Sequence, residues 1–245
     1  KLSVPRVLGL AVAQINFFII TIVASKLASG SLSVFNLAND LQSVPIGLFG
    51  ISLATAAFPA FSQFVARNDQ EGLRNSIVST TRLILFLTIP FAILLLLLRA
   101  QIVRVLLGWG EFDWADTIDT ADTLAFFSLS LFAQGLLPLL ARGLYALKDT
   151  VSPLMAGLMG VLVNLVLALL LKDSFGIAGL ALAFSAAAIV NVTVLWLILR
   201  TRLGSLNEPI VIMALFKISG AAMAMALVIQ AVKYTIAPLV NMQTG

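Results

Sequence analysis

The chain has 245 residues, 60% of them hydrophobic and only 11% charged, with a mean hydropathy of +1.07. A soluble domain carries about a quarter charged residues, so the composition excludes that class and predicts an all-α polytopic transmembrane helix bundle. With no cysteine and no histidine, thiol catalysis, disulfides, Ser-His-Asp triads and His/Cys metal sites are excluded. The net charge of +4 is spread singly between apolar runs, which fits orientation in a membrane better than a nucleic-acid partner.

About seven spans are predicted: Val4 to Ala28, Val34 to Ala66, Asn75 to Leu98, Thr117 to Ala141, Val151 to Leu171, Ile177 to Leu199 and Pro209 to Val232. Each offers the roughly 20 apolar residues that a bilayer demands. With Lys1 on the cytoplasmic side, Lys1, Arg6, Arg67, Arg74, Arg82, Arg142, Lys148, Arg200, Arg202 and Lys217 fall at cytoplasmic ends. Lys26, Arg99, Arg104, Lys172 and Lys233 fall outside. The basic majority sets the cytoplasmic face, and the odd number of spans places the tail on the opposite one. The chain begins at Lys1 and shows no signal-cleavage pattern, which reads as the later half of a longer protein.

The first span carries Gln14 and Asn16, a polar sector that serves either an interhelical hydrogen bond or substrate contact. The short LASGSLS loop makes the first two helices a tight hairpin. The second span is the most informative. Asn39, Asp40 and Gln42 lie at its mouth, and Pro45, Gly47, Gly50 and Pro59 lie inside it. Each proline removes a donor and frees the carbonyl four residues back, those of Leu41 and Thr55. In hydrocarbon such groups must be satisfied by neighbours or a wet cavity. A wholly helical second span would be about 50 Å long against a core of about 30 Å, so it must tilt, bend or project. Asp40 is either a carboxylate facing a cavity or, with Asn39, a helix cap at the interface.

The turn ARNDQEGLRN reads as solvated, and Arg82 in the third span, ahead of Pro90, can snorkel. Asp113, Asp116, Asp119 and Asp122 make an acidic stripe at the start of the fourth span. The spacing is not that of an EF-hand, and helix-dipole stabilisation explains it without a metal. The fourth span bears Gln134, a kinking Pro138, and Arg142, which either meets a headgroup or snorkels at the helix end. Thr150 is placed to cap the fifth helix, with Pro153 in its first turn. Asn164 and Asn191 read as helix-to-helix glue.

Two stretches resemble the MurJ (MviN) lipid II flippases of the multidrug/oligosaccharidyl-lipid/polysaccharide exporter superfamily. One is the polar start, proline and glycines leading into ATAAFPAFSQ, similar to the eighth membrane helix of that family. The other is GEFDWADTIDTADTLAFFSLSLFAQGLLPLLARGLYALKDTVSP, with G-x-F before a helix and Y-A-L-x-D-T-x-x-P after it. The resemblance implies one six-helix carboxyl-terminal lobe over 1–202, an additional helix and tail over 203–245, and an amino-terminal lobe that precedes them. The family usually shows arginine within A-D-R-L where this chain has ANDL. The opposite charge of Asp40 counts against carrying pyrophosphate binding over to it.

By that resemblance the chain is expected to help move an undecaprenyl-linked peptidoglycan precursor across the bacterial cytoplasmic (inner) membrane by alternating access. Its expected partners are membrane lipids and its own amino-terminal lobe. Neither a cofactor nor a catalytic residue is implied. Gln14, Asn16, Asn39, Asp40, Gln134 and Arg142 are the candidate cavity residues, and Pro45, Pro59, Pro90 and Pro138 the candidate kinks. The alternatives are a drug or polysaccharide exporter of the same superfamily, or a non-transporting membrane scaffold.

Overall fold

A computed structural model describes residues 14, 16, 18–28, 30–108 and 112–241, with side chains as far as Thr235. Among them every regular element is helical. These elements are α1 (Ser31–Pro45), a π-turn (Ile46–Ile51), α2 (Ser52–Ala66), α3 (Gln70–Leu107), α4 (Trp114–Ser128), α5 (Leu131–Ala146), α6 (Val151–Leu203) and α7 (Glu208–Asn241). Residues 18–24 close a preceding helix. The beginning of the expected first span, before Gln14, lies outside the described residues.

Among the described residues, helices occupy the second to seventh expected spans, with altered borders. α1, the π-turn and α2 run without a gap as one 36-residue span, Ser31–Ala66. α4 and α5 form one span bent by 48°. α6 is two spans joined at Gly176, where φ is 55° and ψ −133°, a backbone that glycine alone adopts readily. Gly160 faces Ala187 and Asn191 while Gly179 faces Leu171. These contacts run in opposite chain directions, so the two arms of α6 lie antiparallel. α3 continues to Leu107, well past the expected Leu98. Residues 109–111 of the expected interfacial break lie outside those described.

Three local expectations are corrected. Helix α1 begins at Ser31, so Asn39 and Asp40 sit well inside it and neither is a cap. The fourth span bends at Leu129–Ser130, and Pro138 lies within uninterrupted α5. Pro59 and Pro90 likewise lie inside continuous helices, whereas Pro45 is followed at once by the π-turn. At the start of α6 the capping oxygens belong to Asp149, which accepts from Ser152 N at 3.0 Å and Ser152 Oγ at 2.7 Å; the Thr150 side chain makes no cap bond. The acidic stripe does serve a helix start. Asp113 and Asp116 form a reciprocal capping box, with bonds of 2.8 and 3.2 Å. Asp122 pairs with Arg99 at 3.5 Å.

Partial burial of the Asp149 carboxyl raises its pKa, but the Ser152 bonds and the Arg202 charge at 3.2 Å outweigh it and hold the group below its usual range. A depressed carboxylate contributes stability that is fully present above the unfolded value, about pH 4, and is lost as pH falls through the folded one. Thermal melts of wild type between pH 7 and 3 should therefore fall at the acid end by more than those of Asp149→Asn. Parallel curves for the two proteins would remove this role.

α3 is the central post, packing against α2, α4, α5 and α7. Two long-range bonds tie the last two helices to it. Arg74 Nη2 donates to the carbonyl of Leu203, the last residue of α6 (2.6 Å), and Lys233 Nζ near the far end of α7 donates to the Leu97 carbonyl (3.0 Å). The outer faces are apolar and bare: Phe216 is 75% and Leu227 73% exposed. A soluble protein does not leave such surface to water, so these faces belong against lipid.

Candidate functional site

The buried apolar residues fall into two clusters. One gathers Val34, Phe35, Leu95, Leu124, Phe127 and Leu180. The other gathers Phe61, Ile77, Ile84, Leu139, Leu144 and Leu199. Between them, near the middle of each span, runs a chain of polar side chains. Gln42 of α1 is 1% exposed and donates to Asn39 Oδ1 at 3.0 Å. Gln134 of α5 divides its two amide hydrogens between Gln42 Oε1 (2.8 Å) and Ser130 Oγ (2.9 Å). Ser130 Oγ donates to Ser185 Oγ of α6 at 2.9 Å, and Ser185 passes its hydrogen to the Phe126 carbonyl at 2.8 Å.

Donation runs outward from the Gln134 amide, toward Gln42 and Asn39 on one side and toward Ser130, Ser185 and the Phe126 carbonyl on the other. The run crosses from α1 through α5 to the second arm of α6 and covers the break at Leu129–Ser130. The Phe126 carbonyl next to that break accepts from the Ser185 hydroxyl at 2.8 Å, and the Phe127 carbonyl accepts from the Ser130 N–H at 3.1 Å. In a bilayer core no water is at hand to do this, so the network lets the span bend there without an unmade bond.

The π-turn occupies the same level. After Pro45 the backbone widens, and Ser52 donates both its N–H and its hydroxyl to the Gly47 carbonyl, the latter at 2.9 Å. Gly50 sits directly on α5. A Cβ built on it would lie 2.7 Å from both Cα and O of Gly135. Mid-helix π-turns and bare backbone crossings mark places where a helix has been fitted to a neighbour rather than to its own regular period.

The outward face of α1–α2 is the second feature. Asp40, Ser43, Val44, Leu48, Ile51, Ser52, Thr55, Pro59 and Ser62 are all exposed at helical spacing. The four hydroxyls satisfy themselves on their own helix, at the carbonyls of Asp40, Gly47, Ile51 and Phe58. Arg142 leans into this face, donating to Thr55 Oγ1 at 2.9 Å and the Pro138 carbonyl at 3.3 Å. No carboxylate among the described residues pairs with it. Thr55 and Asp40 are 15 residues apart along the helix, about 22 Å at 1.5 Å per residue. The stripe thus has a cation at one level and a carboxylate far along it, with hydroxyls between.

The six candidate residues separate into groups. Gln134 and Asn39 belong to the buried chain, and Asp40 and Arg142 to the open stripe. Asn16 leaves both and accepts from Asn164 Nδ2 at 2.6 Å, an interhelical bond that ties the first span to α6. Gln14 is exposed, apart from either feature. Ser130, Ser185 and the central place of Gln42 escaped the sequence reading. The signal was present for Ser130, which follows Ser128 in FFSLSLFAQ between two apolar runs. Ser185, in AFSAAA, looks like one more small residue.

A family model described as "Lipid II flippase MurJ" matches residues 1–242. Among curated relatives, the probable lipid II flippase MurJ of Thermotoga maritima is 34% identical over 221 residues, 90% of this chain and 44% of its own length. That of Vibrio cholerae is 33% identical over 195 residues, 80% of this chain and 37% of its own. The chain therefore spans less than half the length of these relatives. Among solved structures, a lipid II flippase MurJ in an inward closed conformation superposes with a TM-score of 0.81 at 28% identity, covering 91% of this chain and 46% of that one. An outward-facing MATE family transporter of the MOP superfamily gives 0.73 at 20% identity, which shows the fold alone.

Proposed function

This chain belongs to the MurJ family, and from that premise we propose that it is the carboxyl-terminal part of a lipid II flippase of the bacterial cytoplasmic membrane. In this reading 1–202 form one lobe, 203–245 supply an added helix and tail, and an amino-terminal lobe completes the protein. The observation that carries the reading is the open stripe on α1–α2. A membrane-spanning helix facing lipid has no use for five exposed polar side chains and a guanidinium beside them. A helix facing a water-filled path does, and the lengths of the relatives provide for a second lobe across that path.

No covalent chemistry is required. The barrier to moving a lipid with a charged, sugar-bearing head is the desolvation of that head, and a hydroxyl-lined wall replaces its water while the polyprenyl tail stays in hydrocarbon. Arg142 offers two-pronged donation to an anionic group once the substrate displaces the weak Pro138 contact. Asp40 is too distant to share that anion, and its charge keeps other anions from the far end of the path.

The test is depletion of the protein in a host that depends on it, followed by measurement of lipid II reaching the outer leaflet, with complementation by variants. Depletion should stop outward movement. Arg142→Gln should lower the rate about tenfold, one lost charge-assisted bond, and Arg142→Lys should recover part of it. Unchanged outward movement after depletion would leave the exporter or scaffold alternatives standing. Loss on depletion with full activity of Arg142→Gln would retain the flippase and dismiss Arg142.

A further inference from the structure

Apart from the mid-span network and the stripe, the bundle carries a groove with a chemistry of its own. Between α3 and α7, on the bundle surface, lies a groove of about 480 Å³. Leu83, Phe86, Ala214, Ile218 and Ala221 line it, together with Ser79, Arg82 and Lys217. The two cations come from different helices, and both are exposed. Neither has a hydrogen bond or ion pair among the described residues. That sets them apart from Arg99, Arg200 and Arg202, which pair with carboxylates, and from Arg74 and Lys233, which hold carbonyls.

Their level in the membrane is unusual. Lys217 is nine residues beyond the start of α7 at Glu208, about 13 Å along the axis, and Phe216 beside it is bare to lipid. Arg82 is seven residues beyond Asn75, where the apolar part of α3 begins, about 10 Å along the axis. Such depths beyond the polar helix starts suit the zone where headgroups meet acyl chains. Two like charges facing one groove in a medium of reduced dielectric repel each other. Neither meets a carboxylate among the described residues, so the groove offers a site for an anion from outside.

We propose that this groove binds one anionic phospholipid from the leaflet nearest the α2–α3 turn. Its phosphate lies between Arg82 and Lys217, its headgroup oxygens reach Ser79, and an acyl chain lies along Leu83 and Phe86. Charge complementarity at one end and an apolar wall at the other match a phospholipid; a free phosphate would have no use for the wall. The site is separate from the α1–α2 stripe, and the proposal stands whatever solute passes there.

The test uses the complete protein in nanodiscs doped with a photoactivatable phosphatidylglycerol that carries a diazirine on its acyl chain, in parallel with the matching phosphatidylcholine. Phosphatidylglycerol should label the peptide containing Leu83 and Phe86, and phosphatidylcholine should do so weakly. Losing two surface charges weakens anionic-lipid binding about thirtyfold, so Arg82→Gln/Lys217→Gln should abolish the difference between the lipids, and Arg82→Lys should retain it. Both altered side chains are exposed, and unchanged thermal melting in detergent would show that the double variant is folded. Equal labelling by the two lipids in wild type would overturn the proposal, as would labelling that survives the double substitution. No labelling by either lipid would also overturn it, since the groove is then covered by another segment of the protein.

Discussion

Gly50→Ala is expected to destabilise the protein by about 1–3 kcal/mol, the usual cost of adding a methylene where there is no room, while Gly47→Ala in the same π-turn should be close to neutral. The two glycines are three residues apart and differ in one respect. A Cβ on Gly47 meets nothing within 4 Å, whereas a Cβ on Gly50 meets the Gly135 backbone at 2.7 Å. Because the obstacle is backbone rather than the end of a flexible side chain, α5 must move as a body. Gly135 in turn has Thr88 Cγ2 of α3 at 3.0 Å from its own Cβ position, so α5 has little space to retreat into. Melting temperatures of the two variants in one detergent decide the matter: equal stability would mean that the crossing is looser than these distances.

Gln134→Leu should cost about 2 kcal/mol, and Gln42→Leu/Gln134→Leu less than the sum of the two single changes. Interhelical hydrogen bonds in membrane proteins average about 0.6 kcal/mol each, so the two bonds of Gln134 alone would predict a smaller loss. The larger figure comes from what is left behind. Gln42 Oε1 and Ser130 Oγ lose their donor in a site enclosed by the two apolar clusters, and a buried group left unmatched costs about 1–3 kcal/mol. Removing Gln42 as well takes away one of the stranded partners, and the half-buried Asn39 can turn to water. A double-mutant cycle on thermal or denaturant unfolding measures the coupling. Strict additivity would show that the bonds between α1 and α5 are not a unit.

The helical class, the helices from the second expected span onward and the break between the fifth and sixth were legible because a bilayer imposes a length on every apolar run. What escaped was where helices bend. The 48° change of direction falls at Leu129–Ser130 and not at Pro138, and there the Ser185 hydroxyl of α6 and the Ser130 N–H take up the Phe126 and Phe127 carbonyls. That solution needs Ser185, 55 residues away, and no local pattern points to it. Likewise the two readings of Asp40 are separated by the start of α1 at Ser31, which leaves Asp40 inside the helix and exposed. The polar residues of Ser31–Ala66 divide into the inward Gln42 and the outward Asp40, Ser43 and Thr55 only once the register of the helix is known.

The two long-range bonds made with α3 have a mechanical corollary. Near the start of α3 a guanidinium grips the last main-chain oxygen of α6, just ahead of the turn into α7, and toward its other end an ammonium from α7 grips the main chain of α3 itself, so a torque applied to the post reaches the last two helices before their shared contacts can open. If the lobes tip to admit and release cargo, the seventh helix cannot lag behind as a loose outrigger; it swings with the post, and the furrow between them keeps its shape throughout the stroke.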